Sequence, residues 1–308
     1  MEMLYNKFDY DVQNQIGLPD ELKAIFIYNR FIHKDESILF VCNTLYEANK
    51  MHQTLLNYTE KVLLFPMDDF LTSEALAVSP ELKINRIETL NKLINNEKFI
   101  VITNLMGFLR YLPEKIIFKN SIINVAIGDE IDIKEFVNTL SNLGYSRETI
   151  VNKTGEFAPR GYVLDIFLIS SKNPVRIEFW GNEVTEIKEF NVNNQMTIKD
   201  LTAISIFPNT EFLCDNYNFS DDNMQKQYNL PKYTNVINIL NYMSNPIVCY
   251  NDLNAIMNSY EILLSEISEY KLNFPINEKI KFMFEFDDIK VNDFYNFADI
   301  LDSGASYN

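Results

Sequence analysis

GEFAPRGYVLDIFLISSKNPVRIEFWGNEVTEIKEF, Gly155 to Phe190, decides the fold. It opens with Gly155-Glu156-Phe157, turns at Pro159-Arg160-Gly161 and enters an apolar run, Tyr162 to Ile169. A polar connector, Ser170 to Pro174, leads to a second run, Val175 to Trp180. Gly181-Asn182 then reads as a two-residue turn into a third strand, Glu183 to Phe190, and Gly at its first position suits a type II′ hairpin. The expectation is a small, mostly antiparallel sheet. Side chains alternate across a strand, so Val175, Ile177 and Phe179 share a core face. Arg176, Glu178 and Trp180 share the other, with Arg176 and Trp180 about 13 Å apart at about 3.3 Å per residue. An arginine and a large aromatic on one open sheet face are the composition of a protein-binding hot spot. Val184 and Ile187 are three residues apart, so a bulge between them is needed to put both on the core face.

Each of these side chains has a plainer reading that the sequence leaves open. Arg160 could close its turn against Glu156, and Arg176 could pair across strands with Glu186, a surface contact worth little. Trp180 is the only tryptophan, and tryptophan is usually well buried.

The stretch resembles the small inserted domain of the bacterial transcription-repair coupling factors (Mfd), a domain also found in the excision-repair helicase UvrB. The shared pattern is a GEF-x-x-RG turn, an apolar strand, P-x-R-[IL]-[ED]-F-[FW] and an acidic hairpin. In both families this domain is the docking surface for the damage-recognition ATPase UvrA. The resemblance implies UvrA-binding roles for Arg160, Arg176 and Trp180. Phe is commoner than Trp at the last of these positions, and Tyr162 stands where a small residue is common. The segment from Phe65 to Pro113 resembles the first part of the UvrB-like module of the same family, which implies a RecA-like α/β layer.

The 308 residues suffice for two or three domains with real cores. With 47% hydrophobic and 23% charged residues the chain is globular. A net charge of −16 argues against a free-standing binder of phosphate backbones. Residues 151–200 hold six Lys or Arg against seven Asp or Glu, a net of −1. The candidate docking domain is therefore the near-neutral part of an acidic chain. Cys42, Cys214 and Cys249 are odd in number and widely spaced, which suggests neither a disulfide framework nor a metal cluster. The start of the chain lacks a signal-peptide pattern and no apolar run reaches membrane length, so a cytoplasmic protein is expected.

Residues 1–118 alternate helix and strand patterns in the α/β manner. Helices are expected over 21–31, over 45–58 with Asn43 or Thr44 as cap, and from Ser79-Pro80 onward with Leu82, Ile87, Leu90 and Ile94 inward. Buried strands are expected at 37–42, 62–66 and 99–103. No G-x-x-x-x-G-K-[ST] loop follows any of them. The nearest candidate, Gly17 to Ala24, lacks the second glycine and the Lys-Ser/Thr pair, and its Asp20 and Glu21 would repel phosphate. Asp68-Asp69 reads as a solvated acid pair in a loop. His33 and His52 have no catalytic or metal-binding pattern around them.

Residues 119–209 are expected to hold the inserted docking domain. It includes a helix capped by Asp132, with Phe136, Val137, Leu140 and Leu143 on one face and Gly144 as its stop. Ile150 is expected to start the sheet, and Leu201 to Phe207 to return to the first layer. Residues 210–308 are expected to complete that layer, with a strand at 246–250, a long helix capped by Asn251 and an alternating strand from Lys279 to Phe286. The whole is then a degenerate RecA-like, UvrB-like parallel sheet carrying an α+β insert. The resemblance implies a non-enzymatic UvrA-recruitment module without cofactor. In the intact family member ATP and magnesium serve a motor, and RNA polymerase and duplex DNA are further partners, while no membrane is involved. The alternative is a UvrB-type helicase fragment that binds nucleotide.

Overall fold

The structure, a computed structural model, describes residues 7–69, 79–169, 171–213, 227–232, 234–273, 281–299 and 304–306. It divides into two compact units, residues 1–112 with 226–308, and residues 113–225. The expected insert, 119–209, lies inside the second.

The first unit is built on a seven-stranded sheet. Its strand order is Ala305–Ser306, Asn14–Ile16, Phe294–Ala298, Ile247–Asn251, Ile38–Cys42, Ile100–Asn104, Val62–Phe65. Every pairing in it is parallel. A parallel sheet with helices over its faces buries both sides of each strand, which is why its strands are unbroken apolar runs. All residues of Ile38–Cys42, Val62–Phe65 and Ile100–Asn104 are buried. The helices Asp20–Lys34 and Leu45–Leu56 contribute Phe26, Ile27, Ala48, Met51 and Leu55 to the same core cluster as Phe40, Ile102 and Phe297. Thr44 is the cap expected for the second helix, its Oγ1 accepting from Glu47 N at 3.2 Å. Pro80 occupies the first turn of Pro80–Leu93 as expected.

Three expectations for this unit need correction. The helix Leu253–Asn273 is capped not by Asn251, which ends a strand, but by Asp252, whose Oδ1 accepts from Ala255 N at 3.1 Å. Residues 281–286 form no strand; a 3-10 turn, Phe286–Asp288, closes that segment, while 274–280 lie outside the described residues. Alternation there reflects side chains packed around a turn, as Tyr111 against Phe284 and Tyr270 against Phe282. The strand that completes the sheet is Phe294–Ala298 instead. Asp69 is no idle loop acid either. It accepts from Leu45 N and from Asn104 Nδ2, each at 2.8 Å, while Asn104 also holds Met67 N (3.0 Å) and Met67 O (2.8 Å).

The second unit carries a six-stranded sheet, in the order Thr197–Leu201, Glu183–Phe190, Val175–Trp180, Val163–Ile166, Glu156–Arg160, Ser146–Arg147. Its pairings are antiparallel except the last, which is parallel. The first strand is thus Ser146–Arg147 rather than one beginning at Ile150. The helix Ile133–Asn142 starts at Asp132, whose Oδ1 accepts from Lys134 N and Glu135 N, and buries Phe136 and Leu140. Ala203–Ile206 does not return to the first sheet. It pairs antiparallel with Ile123–Ala126 within the same unit, so the insert closes on its own two ends.

Candidate docking face

Two adjoining hairpins shape the site. Arg160 pairs with Val163 and Trp180 with Glu183, which leaves Gly161-Tyr162 and Gly181-Asn182 as two-residue loops. Both glycines are left-handed, at φ 62° and 63°, and neither following residue is. That is the type II′ arrangement, whose twist matches that of its strands. Phe179 N donates to Tyr162 O at 2.9 Å, so the two tips lie side by side. The register skips one residue opposite Glu178/Phe179, pairing Glu186 and then Val184. The extra residue is Thr185, and Val184 and Ile187 are both buried, as the expected bulge requires.

The alternation holds through Val175–Trp180. Val175, Ile177 and Phe179 are buried, while Trp180 stands 81% exposed. The plain reading of the tryptophan as a core residue is therefore excluded. Tyr162, at the neighbouring tip, is 66% exposed.

The two arginines share one acid that the sequence reading did not single out. Asp165 lies directly opposite Arg176 on one side and Ala158 on the other. Arg176 grips it with two bonds, Nε to Oδ1 at 2.7 Å and Nη2 to Oδ2 at 2.9 Å. Arg160 Nη2 also donates to Asp165 Oδ2. The carboxylate is 1% exposed, and both guanidinium groups lie against it. Arg176 further donates from Nη2 to Gln195 Oε1 at 3.1 Å and stacks on the Phe190 ring at 4.5 Å. The hydrogen bond to Asp165 raises the Arg176 pKa, against the opposing effect of partial burial.

Neither plain pairing holds. Glu156 accepts from Asn152 N and Lys153 N rather than from Arg160. Glu186 pairs with Lys188, which also reaches Glu178 at 3.4 Å. Arg160 remains half exposed, and among the described residues its Nε and Nη1 bind nothing. A lone acid inside the apolar run 162–169 was the available signal for Asp165.

In the first unit, the turn after Asn14–Ile16 holds Gly17, the start of the nearest phosphate-loop candidate. Gly17 N bonds Ala298 O at 3.0 Å, and the following helix opens with Asp20 and Glu21. Lys23 Nζ is directed to Asn251 Oδ1 at 2.8 Å, and Asp20 to Lys50 at 2.6 Å. Lys23 and Asp20 are thus paired within the unit, while Glu21 is exposed. Cys42 and Cys249 are free and buried, and burial raises both thiol pKa values; Cys214 lies outside the described residues. Among the described residues no group of His, Cys, Asp and Glu could hold a metal ion, and no helix is long and apolar enough to cross a membrane.

Residues 123–212 match the family model of the UvrB interaction domain. Over those residues the second unit is similar to the UvrB interaction domains. The match runs from the first strand of that unit, Ile123–Ala126, past its last, Ala203–Ile206. Among curated proteins, the chain is similar to transcription-repair-coupling factors. It is 33% identical over 199 residues to that of Staphylococcus haemolyticus and to that of Bacillus subtilis, 64% of this chain and 17% of each relative. It is 28% identical over 275 residues to that of Staphylococcus epidermidis, 87% of this chain and 22% of the relative. The matched region is about a fifth of the length of these relatives, and the UvrB interaction domain is one part of it.

Proposed function

We propose that this chain is the UvrA-recruiting module of a transcription-repair coupling factor, and that Arg160, Arg176 and Trp180 form its contact with UvrA. One observation carries this reading: an indole 81% exposed on the same sheet face as two guanidinium groups held by one carboxylate. Large exposed aromatics next to arginine are the residues on which binding energy concentrates. Arg160 has donors left over for carboxylate or carbonyl groups of a partner. Residues 151–200, which carry the three side chains, have a net charge of only −1 and so bring little self-repulsion to a contact.

In this reading the parallel-sheet unit is scaffold rather than motor. The acids at its first helix start disfavour a nucleotide phosphate there, and Lys23 is tethered to Asn251, which supports this reading. ATP hydrolysis, magnesium, RNA polymerase and duplex DNA belong to other parts of a longer protein, which directs excision repair to stalled polymerase in the cytoplasm. Calorimetric titration tests both statements. The chain should bind purified UvrA and give no heat with Mg-ATP. A chain that ignores UvrA, or that binds Mg-ATP, contradicts the proposal.

A further inference from the structure

We propose that Asp165 is the positioning residue of the docking face, one buried carboxylate fixing both arginines in the orientation the partner meets. The inference deepens the UvrA-docking reading and rests on it. Asp165 comes from the middle of an apolar run, yet register places it opposite Arg176. Its other neighbour across the sheet, Ala158, is too small to cover it, and Arg160, two residues further on the same face, reaches back over it. Three N–H groups from two arginines therefore close around a side chain that is 1% exposed. A carboxylate withdrawn from water is costly unless paired and hydrogen-bonded, and here both conditions are met by these two cations.

The consequence for binding is preorganisation. A free arginine has many rotamers and must be ordered when a partner docks, which weakens the complex. Here the ordering happens on folding. Arg176 is held by a fork-to-fork pair, by Gln195 and by stacking on Phe190. Arg160 is held by one nitrogen and keeps its others outward. Charge and geometry make opposite predictions. Asp165 lowers the positive charge of the face, so Asp165→Asn should tighten binding to an acidic partner if charge alone mattered. If positioning matters, the same change should weaken it.

The test uses purified UvrA, the whole chain, and equilibrium titration at fixed salt. Asp165→Asn should lose on the order of tenfold in affinity or more, since two long side chains must then be ordered at docking. Added to R160A/R176A it should lose nothing further, because Asp165 acts through those two residues. Slowed exchange of the Arg176 Nε proton, read by NMR on the free chain, should disappear in Asp165→Asn. Asp165→Glu keeps the charge, displaces the carboxylate by one methylene, and should also weaken binding. It serves as the test should the Asn variant fail to fold. Wild-type affinity or tighter in either folded variant overturns the inference while leaving UvrA docking intact. An equal loss in the R160A/R176A background also overturns it, by showing a general structural role. Failure of the wild-type chain to bind UvrA removes the docking reading, and this inference with it.

Discussion

Replacing Trp180 with alanine separates binding from folding, because the side chain contributes so little to its own domain. An indole presents about 150–250 Å², and 81% of Trp180 is still in water. At about 25 cal/mol per Å², full burial of that surface against UvrA has a ceiling of about 3–5 kcal/mol. Loss of translational freedom and imperfect burial lower the figure, so truncation should cost about 2–3 kcal/mol, or about 30- to 140-fold in Kd. Stability should stay within about 0.5 kcal/mol of wild type, as for other exposed positions. Calorimetry with UvrA measures the first quantity and urea denaturation the second. The lone tryptophan offers an independent check, since its fluorescence in the free chain should be readily quenched by acrylamide. Unchanged UvrA affinity in Trp180→Ala would refute the reasoning that the outward indole is the anchor. A large loss of stability would refute the claim that it is free of the core.

Further outcomes follow from the same physical reading. Asn104→Ala should lower stability by about 2–4 kcal/mol, because Met67 N–H and C=O lose their partners inside the fold; a wild-type denaturation midpoint would contradict this. Gly181→Ala should cost about 1–2 kcal/mol from backbone conformation alone, since an added Cβ meets no atom within 4 Å while φ is 63°; denaturation again reads it. Tyr111 and Tyr295 are pushed up to about 12 by burial, from an ordinary 10.0. The unfolded chain loses those protons first, so their contribution to stability is complete below pH 10 and should be lost progressively toward pH 12. Burial lowers the His52 pKa from 6.5, so the unfolded chain takes up that proton first and stability should fall as pH drops below about 6.5. Denaturation midpoints across pH test both slopes, and a flat profile in either window contradicts the corresponding burial.

The outward face of Val175–Trp180 could be read from the chain because strand alternation is local, and the bulge at Thr185 because two core residues sat three apart. The apolar strands of the parallel sheet were legible because an unbroken apolar run is also a local signal. Asn14–Ile16 and Ala305–Ser306 were not, since three or two residues carry no periodic signal and gain their place only by pairing. Phe294–Ala298 is obscured in the sequence by the alternating stretch before it, where alternation comes from packing around a 3-10 turn. The sheet that Ala203–Ile206 joins is not legible locally, because its partner Ile123–Ala126 lies about 80 residues earlier. Asp165 shows the same limit at the site. Each arginine had a nearby acid in sequence, Glu156 or Glu186. The acid both actually bind is chosen by register between neighbouring strands.

UvrA should touch the two hairpin tips and the arginine pair. Hydrogen–deuterium exchange on the chain, with and without saturating UvrA, tests it most directly. Amides of residues 160–163 and 176–183 should become protected while the parallel-sheet unit exchanges unchanged. Protection confined to other segments, with those two stretches exchanging as in the free chain, would contradict the account.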